Sequence, residues 1–115
     1  VVHEVRGRGL MIGIEFRRPR SMRLRAQWSL LESMRTGLFT QLVVVPLFRD
    51  HRILTQVAAD NQNVLKILPP LITTEEQANA FVEALDDVLG NLERSLGLVF
   101  GVGRSLALPA LRAGR

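Results

Sequence analysis

A chain of 115 residues has the length of one domain, and its 47% apolar and 23% charged content excludes wholesale disorder. The absence of cysteine excludes disulfides and thiolate metal sites, and the two histidines, His3 and His51, have no metal-ligand neighbours at helical or hairpin spacing, so no metal site is expected. The net charge of +4 is uneven, with Arg17, Arg18, Arg20, Arg23 and Arg25 close together, but the few aromatics are not interleaved with them as a base-stacking surface requires.

Residues 10–16 read as a strand. Leu10, Ile12, Ile14 and Phe16 fall on one side at period two, with Met11, Gly13 and Glu15 on the other, so one face is expected to be fully buried. Gly7 and Gly9 permit a tight entry and Pro19 closes the segment. A helix is expected next, with Ser21 as N-cap, an apolar stripe of Leu24, Trp28, Leu31 and Met34, and Gly37 as a left-handed stop. Residues 42–45 and 53–57 are short β-branched runs, the first ended by Pro46 and the two separated by a polar turn of Arg49, Asp50, His51 and Arg52. They read as a hairpin, or as one strand with an irregular approach.

A polar linker, 58–63, leads to a strand at 64–68, halted by Pro69 and Pro70, which lack backbone donors. The clearest helix follows. Thr73 with Glu76, and Thr74 with Gln77, both have capping-box spacing, and Ala78, Phe81, Val82, Leu85, Val88, Leu89 and Leu92 form its apolar stripe. Beyond Ser95 an irregular tail rich in Gly and Leu, with Arg104, Arg112 and Arg115, is expected. The order implies an α+β fold: a small, largely antiparallel sheet of three to four strands with helices packed on one face.

No apolar run approaches the ~20 residues of a membrane helix, and the amino terminus lacks the pattern of a signal peptide, so a soluble, cytoplasmic protein is expected. The arginine cluster reads as a solvated loop and helix start. Arg6 and Arg8 flank a glycine turn and read as solvated, Trp28 as packing, and His51 as a turn residue with no nucleophile beside it. The R-G-R-G run precedes a strand rather than opening a helix, so it is not a phosphate loop.

Two segments carry a family resemblance. Residues 6–16, R-G-R-G-L-M-I-G-I-E-F, resemble the R-G-x-G-L-M-x-G-hydrophobic-E-F strand that opens the small domain of class-III aminotransferases. Residues 63–77, N-V-L-K-I-L-P-P-L-I-T-T-E-E-Q, resemble that family's closing strand, double proline and capped helix, at the family's separation. The resemblance covers about positions 1–92.

It implies residues 1–95 as the C-terminal small domain of a fold-type-I enzyme, with 96–115 as a tail. In such homodimers a large-domain lysine holds pyridoxal 5′-phosphate and a large-domain aspartate pairs with its pyridine nitrogen. That machinery lies upstream in the family, so this segment is expected to supply no catalytic or cofactor-binding residue and to be inactive alone, and Val1 is expected to end a helix leading into the first strand. Its one lysine, Lys66, stands where ornithine- and acetylornithine-type members carry an arginine that holds a substrate carboxylate or a glutamate partner. Branches similar to ethanolamine-phosphate phospho-lyases carry lysine there. Lysine offers a point charge without the planar fork, which leaves the substrate class open. Lys66 is thus the candidate substrate-binding residue, the other reading being a lysine that snorkels from a strand edge.

The expected partners are the enzyme's large domain, a second subunit, and an amine or amino acid donor with an oxo acid acceptor. Membrane and nucleic acid are not expected. The competing readings are a stand-alone basic α+β module that binds RNA or protein, and a truncated, non-enzymatic remnant.

Overall fold

The computed structural model describes residues 1–60 and 62–113, with side-chain surroundings through Leu98. In chain order the elements are β1 (Val2–Arg8), β2 (Met11–Phe16), α1 (Met22–Met34), α2 (Leu38–His51), β3 (Gln56–Val57), β4 (Val64–Ile67) and α3 (Glu75–Ala113). The strands form one antiparallel sheet in the order β1-β2-β4-β3. Helices pack on one face of it, so the α+β class expected from the sequence is the one the chain adopts.

The first segment corrects an expectation. Val1 does not end a helix: Val2–Arg8 is a strand paired with β2 from Val2↔Phe16 to Arg8↔Met11, with one irregularity between Val2 and Glu4. The turn decides this. Gly9 has φ +56° and Leu10 does not share the positive φ, the pattern of a II′ turn, whose twist matches that of the flanking strands. A Cβ on Gly7 would stand 2.9 Å from the Met11 carbonyl oxygen, so the hairpin requires glycine there too. Leu10 belongs to this turn, 39% exposed, and does not join the buried row; Ile14 and Phe16 do.

A second correction concerns residues 38–51, where a strand run and a polar turn were expected and the helix α2 is found. Its buried side is Phe39, Thr40, Val43 and Leu47, which recur at helical spacing across the β-branched run and its flanks. Val43 and Leu47 are fully buried. Burying each is favourable by about 1.5–3 kcal/mol, against a helix-propensity cost of at most about 0.7 kcal/mol per β-branched residue. Packing wins. Pro46 sits inside the helix and withholds the N–H that Leu42 would otherwise receive. Arg49, Asp50 and His51 form the last helical turn, and Arg52 closes it at φ +59° while the Ile53 N–H donates to the Leu47 carbonyl. Of residues 53–57 only Gln56–Val57 pairs as a strand.

Helix α1 starts at Ser21 as expected, although the Ser21 hydroxyl makes no capping bond. Gly37 is left-handed, φ +86°, but serves as the N-cap of α2, with the Gln62 carbonyl oxygen 3.1 Å from where a Cβ would lie. The start of α3 is capped as the spacing predicts: the Gln77 N–H donates to Thr74 Oγ1 and the Thr74 N–H to Gln77 Oε1, at 3.2 and 3.1 Å. The irregular tail expected from residue 96 is helical through Ala113, while residues 114–115 lie outside the described residues.

The core lies between the sheet and the helices. Ile14, Phe16 and Leu65 face Trp28, Phe39, Val43, Leu47, Ala84, Leu85 and Val88. Phe39 is its hub, edge-on to Phe16 at 5.4 Å and tilted against Trp28 at 4.7 Å.

Candidate functional site

Alternation along the strands gives the sheet two unlike faces. By register, Val5, Ile14, Leu65 and Val57 form one cross-strand row on the helix-covered face. Arg6, Gly13, Lys66 and Gln56 form the corresponding row on the other face. Lys66 therefore stands on an interior strand, paired with Gly13 on one side and Gln56 on the other, and not at a strand edge. Gly13 keeps the space beside it low: a Cβ there would be 3.4 Å from Val64 Cγ1 and 4.0 Å from Arg6 Cγ. Among the described residues Lys66 has no ion-pair partner.

The neighbouring charges are committed to one another. Arg6 Nη1 donates to Glu15 at 2.7 Å and to Glu4 at 3.0 Å, and Arg17 Nε donates to Glu15 at 2.8 Å. The hydrogen bond from Arg6, then that from Arg17, holds the Glu15 carboxyl below its ordinary pKa, and the bond to Glu15 raises that of Arg6. Arg6 is thus a clasp within the hairpin. Arg8, the last residue of β1, is exposed.

The approach to β4 is pinned by Asn63. Its amide donates to Glu32 of α1 at 2.9 Å, its side-chain oxygen accepts from Thr40 of α2 at 3.1 Å, and its backbone carbonyl accepts from the Phe16 N–H at 2.7 Å. One residue thereby joins two helices and β2 three positions before Lys66. The sequence reading placed Asn63 in a polar linker and missed this role. Its position directly before a strand, with polar Thr40 inside an apolar run, was the available signal.

His51 is not a turn residue. It ends α2 and reaches α3, with Nε2 3.2 Å from Asp87 Oδ2. Beside it Arg49 donates to both oxygens of Asp50, at 2.6 and 2.7 Å, which lowers the Asp50 pKa. These groups line an open cleft of about 310 Å3 between the helices. Trp28 is buried in the core.

Among the described residues no group of three His, Cys, Asp or Glu is placed to hold a metal, and no helix is long and apolar enough to cross a membrane. Pyridoxal phosphate requires a lysine for its imine, a carboxylate for its ring nitrogen and clustered donors for its phosphate. The chain's one lysine lies mid-strand, and the carboxylate nearest it in register, Glu15, is already clasped by two arginines. These residues do not make a site for that cofactor.

The protein belongs to the aminotransferase class-III family, whose model matches residues 1–89, the span that holds the hairpin, the lysine-bearing middle strand and the Pro-Pro exit to the capped helix. Among curated relatives, the acetylornithine aminotransferase of Brucella melitensis is 36% identical over 94 residues, covering 82% of this chain and 17% of that protein. The acetylornithine aminotransferase of Caldanaerobacter subterraneus is 32% identical, covering 80% and 18%. Aminotransferase PigE of a Serratia species is 30% identical, covering 83% and 15%. The chain thus spans less than a fifth of the length of these relatives.

Proposed function

We propose that residues 1–95 are the C-terminal small domain of a pyridoxal-phosphate-dependent aminotransferase, and that Lys66 meets an anionic group of its substrate. The observation that carries this reading is the position of Lys66: a cation with no ion-pair partner among the described residues, on the sheet face opposite the packed helices, next to a glycine, in a strand held from both sides. The surroundings support it. Met11, Leu68, Leu71 and Ile72 are exposed around that end of the sheet, 61%, 58%, 93% and 87% respectively, as expected of a surface that lies against a larger body. In this reading the chain's own residues orient the substrate and shield it from water when the domains close. The cofactor, when bound to the large domain, supplies the electron sink for amino-group transfer between an amine or amino acid and an oxo acid. The enzyme works as a cytoplasmic homodimer, and the isolated segment is inactive.

The test joins this chain to a class-III large domain and assays transamination. Lys66→Ala raises KM for a carboxylate substrate by roughly tenfold or more, the equivalent of one hydrogen bond to a charged group, with a smaller change in kcat. Lys66→Arg retains binding. An unchanged KM in Lys66→Ala rejects the assignment of Lys66. Stoichiometric imine formation between the isolated chain and pyridoxal phosphate, abolished by Lys66→Ala, overturns this account of Lys66.

A further inference from the structure

A lysine fixes the position of an anion but not its plane, because its ammonium is a point charge without the two-pronged geometry of an arginine. The sheet register gives Lys66 a neighbour that can supply the missing prong. Gln56 of β3 is paired directly with Lys66 of β4, on the sheet face opposite the packed helices. Residues directly opposed in an antiparallel pair have their Cβ atoms about 4.5–5.5 Å apart. Gln56 is exposed, and no side-chain hydrogen bond among the described residues involves either Gln56 or Lys66. On the other side of Lys66 stands Gly13, which brings no competing group. A primary amide carries two N–H donors. A charged donor and a neutral donor thus stand side by side.

We infer, on the reading that Lys66 meets the substrate, that Gln56 is a second substrate-binding residue and that the pair selects a carboxylate. One carboxylate oxygen accepts from the Lys66 ammonium and the other from the Gln56 amide N–H. Two residues on neighbouring strands together replace the planar fork. The charge around them suits a singly charged group. Arg6, the other cation of that row, is bound to Glu4 and Glu15. Arg8 lies one row further along the edge strand, with β2 between it and Lys66. A phosphate dianion draws on several donors, most readily arginine forks or an open helix N-terminus. The helix that follows β4 offers neither: Thr74 and Gln77 close the start of α3, and Glu75 and Glu76 occupy its first turn. The pair therefore favours a carboxylate-bearing substrate over a phosphate ester.

The test is calorimetric binding to the chain joined to a class-III large domain and loaded with cofactor. The probes are succinate, each end of which is a singly charged carboxylate, and inorganic phosphate. Each is also titrated into Lys66→Ala, so that binding elsewhere on the enzyme is set aside. The Lys66-dependent site is expected to bind succinate at least about tenfold tighter than phosphate. Gln56→Leu weakens succinate roughly tenfold, as for one hydrogen bond to a charged group, and leaves Tm unchanged because the position is exposed. Gln56→Glu keeps the size of the side chain, sets an acceptor beside Lys66 in place of the donor, and weakens succinate further. Loss of succinate binding in Lys66→Ala but not in Gln56→Leu overturns the role of Gln56 and leaves that of Lys66 standing. No loss in Lys66→Ala overturns both. Phosphate bound at the Lys66-dependent site as tightly as succinate overturns the selection of a carboxylate.

Discussion

The two faces of one sheet are built from the same strands and obey different rules. On the covered face Ile14, Phe16 and Leu65 are 6%, 2% and 0% exposed, each in contact with helices that came from elsewhere in the chain. On the open face the row is Arg6, Gly13, Lys66 and Gln56, and charge rather than packing organises it. Arg6 is occupied by Glu4 and Glu15, which leaves Lys66 as the cation in that row with no partner among the described residues. A covered face tells how the domain holds together. A residue on the open face that stability does not require is where a functional role is to be sought.

Five substitutions at four positions break or sharpen this contrast. Leu65→Ala, at a fully buried position, is expected to cost about 2–5 kcal/mol in chemical denaturation; a smaller loss means that the covered face is not the core. Asn63→Ala strips partners from Thr40 and Glu32 at the junction of α1, α2 and β4, and is expected to cost about 1–3 kcal/mol by the same measurement. Asn63→Asp, which keeps the acceptor for Thr40 and loses the donor to Glu32, should also be destabilising.

Glu15→Gln tests the clasp through pH. The carboxyl pKa is depressed in the folded state by Arg6 and Arg17, so its stabilising effect is fully present above the unfolded value of about 4.3 and is lost as pH falls through the lower folded value. The gap in Tm between wild type and Glu15→Gln should therefore be constant from pH 7 down to about 5 and close at more acid pH. A gap that is unchanged at acid pH disproves the electrostatic origin. The smallest effect is expected from Lys66→Ala, within about 0.5 kcal/mol of wild type. A larger loss makes Lys66 a structural residue and removes the reason for assigning it a substrate.

Legibility in the sequence followed the range of the signal. Strand β2 was visible because period two runs through Ile12, Ile14 and Phe16, and the entry to α3 because Thr74 and Gln77 cap each other within one turn. Helix α2 was hidden because Val43, Val44 and Val45 favour a strand locally, and only Trp28, Phe16 and Leu65, distant in sequence, make the helical stripe of Phe39, Val43 and Leu47 worth burying. Strand β1 has no buried residue to advertise it; it is a strand because the Gly9 turn folds it onto the edge of β2. At the candidate site, Lys66 and the hairpin glycines could be singled out from the chain, whereas the interior position of β4 and the tether through Asn63 could not.

By itself the sequence determined the α+β class, the two motifs that mark the family, and the caps and turns, all of which rest on interactions spanning a few residues or one element. Only the tertiary structure decided that residues 38–51 are helical, that Val2–Arg8 completes the sheet, and that Lys66 lies on the open face with Gly13 and Gln56 at its sides. Those outcomes depend on which apolar surfaces find each other across the fold, and that free energy is a property of pairs of distant segments.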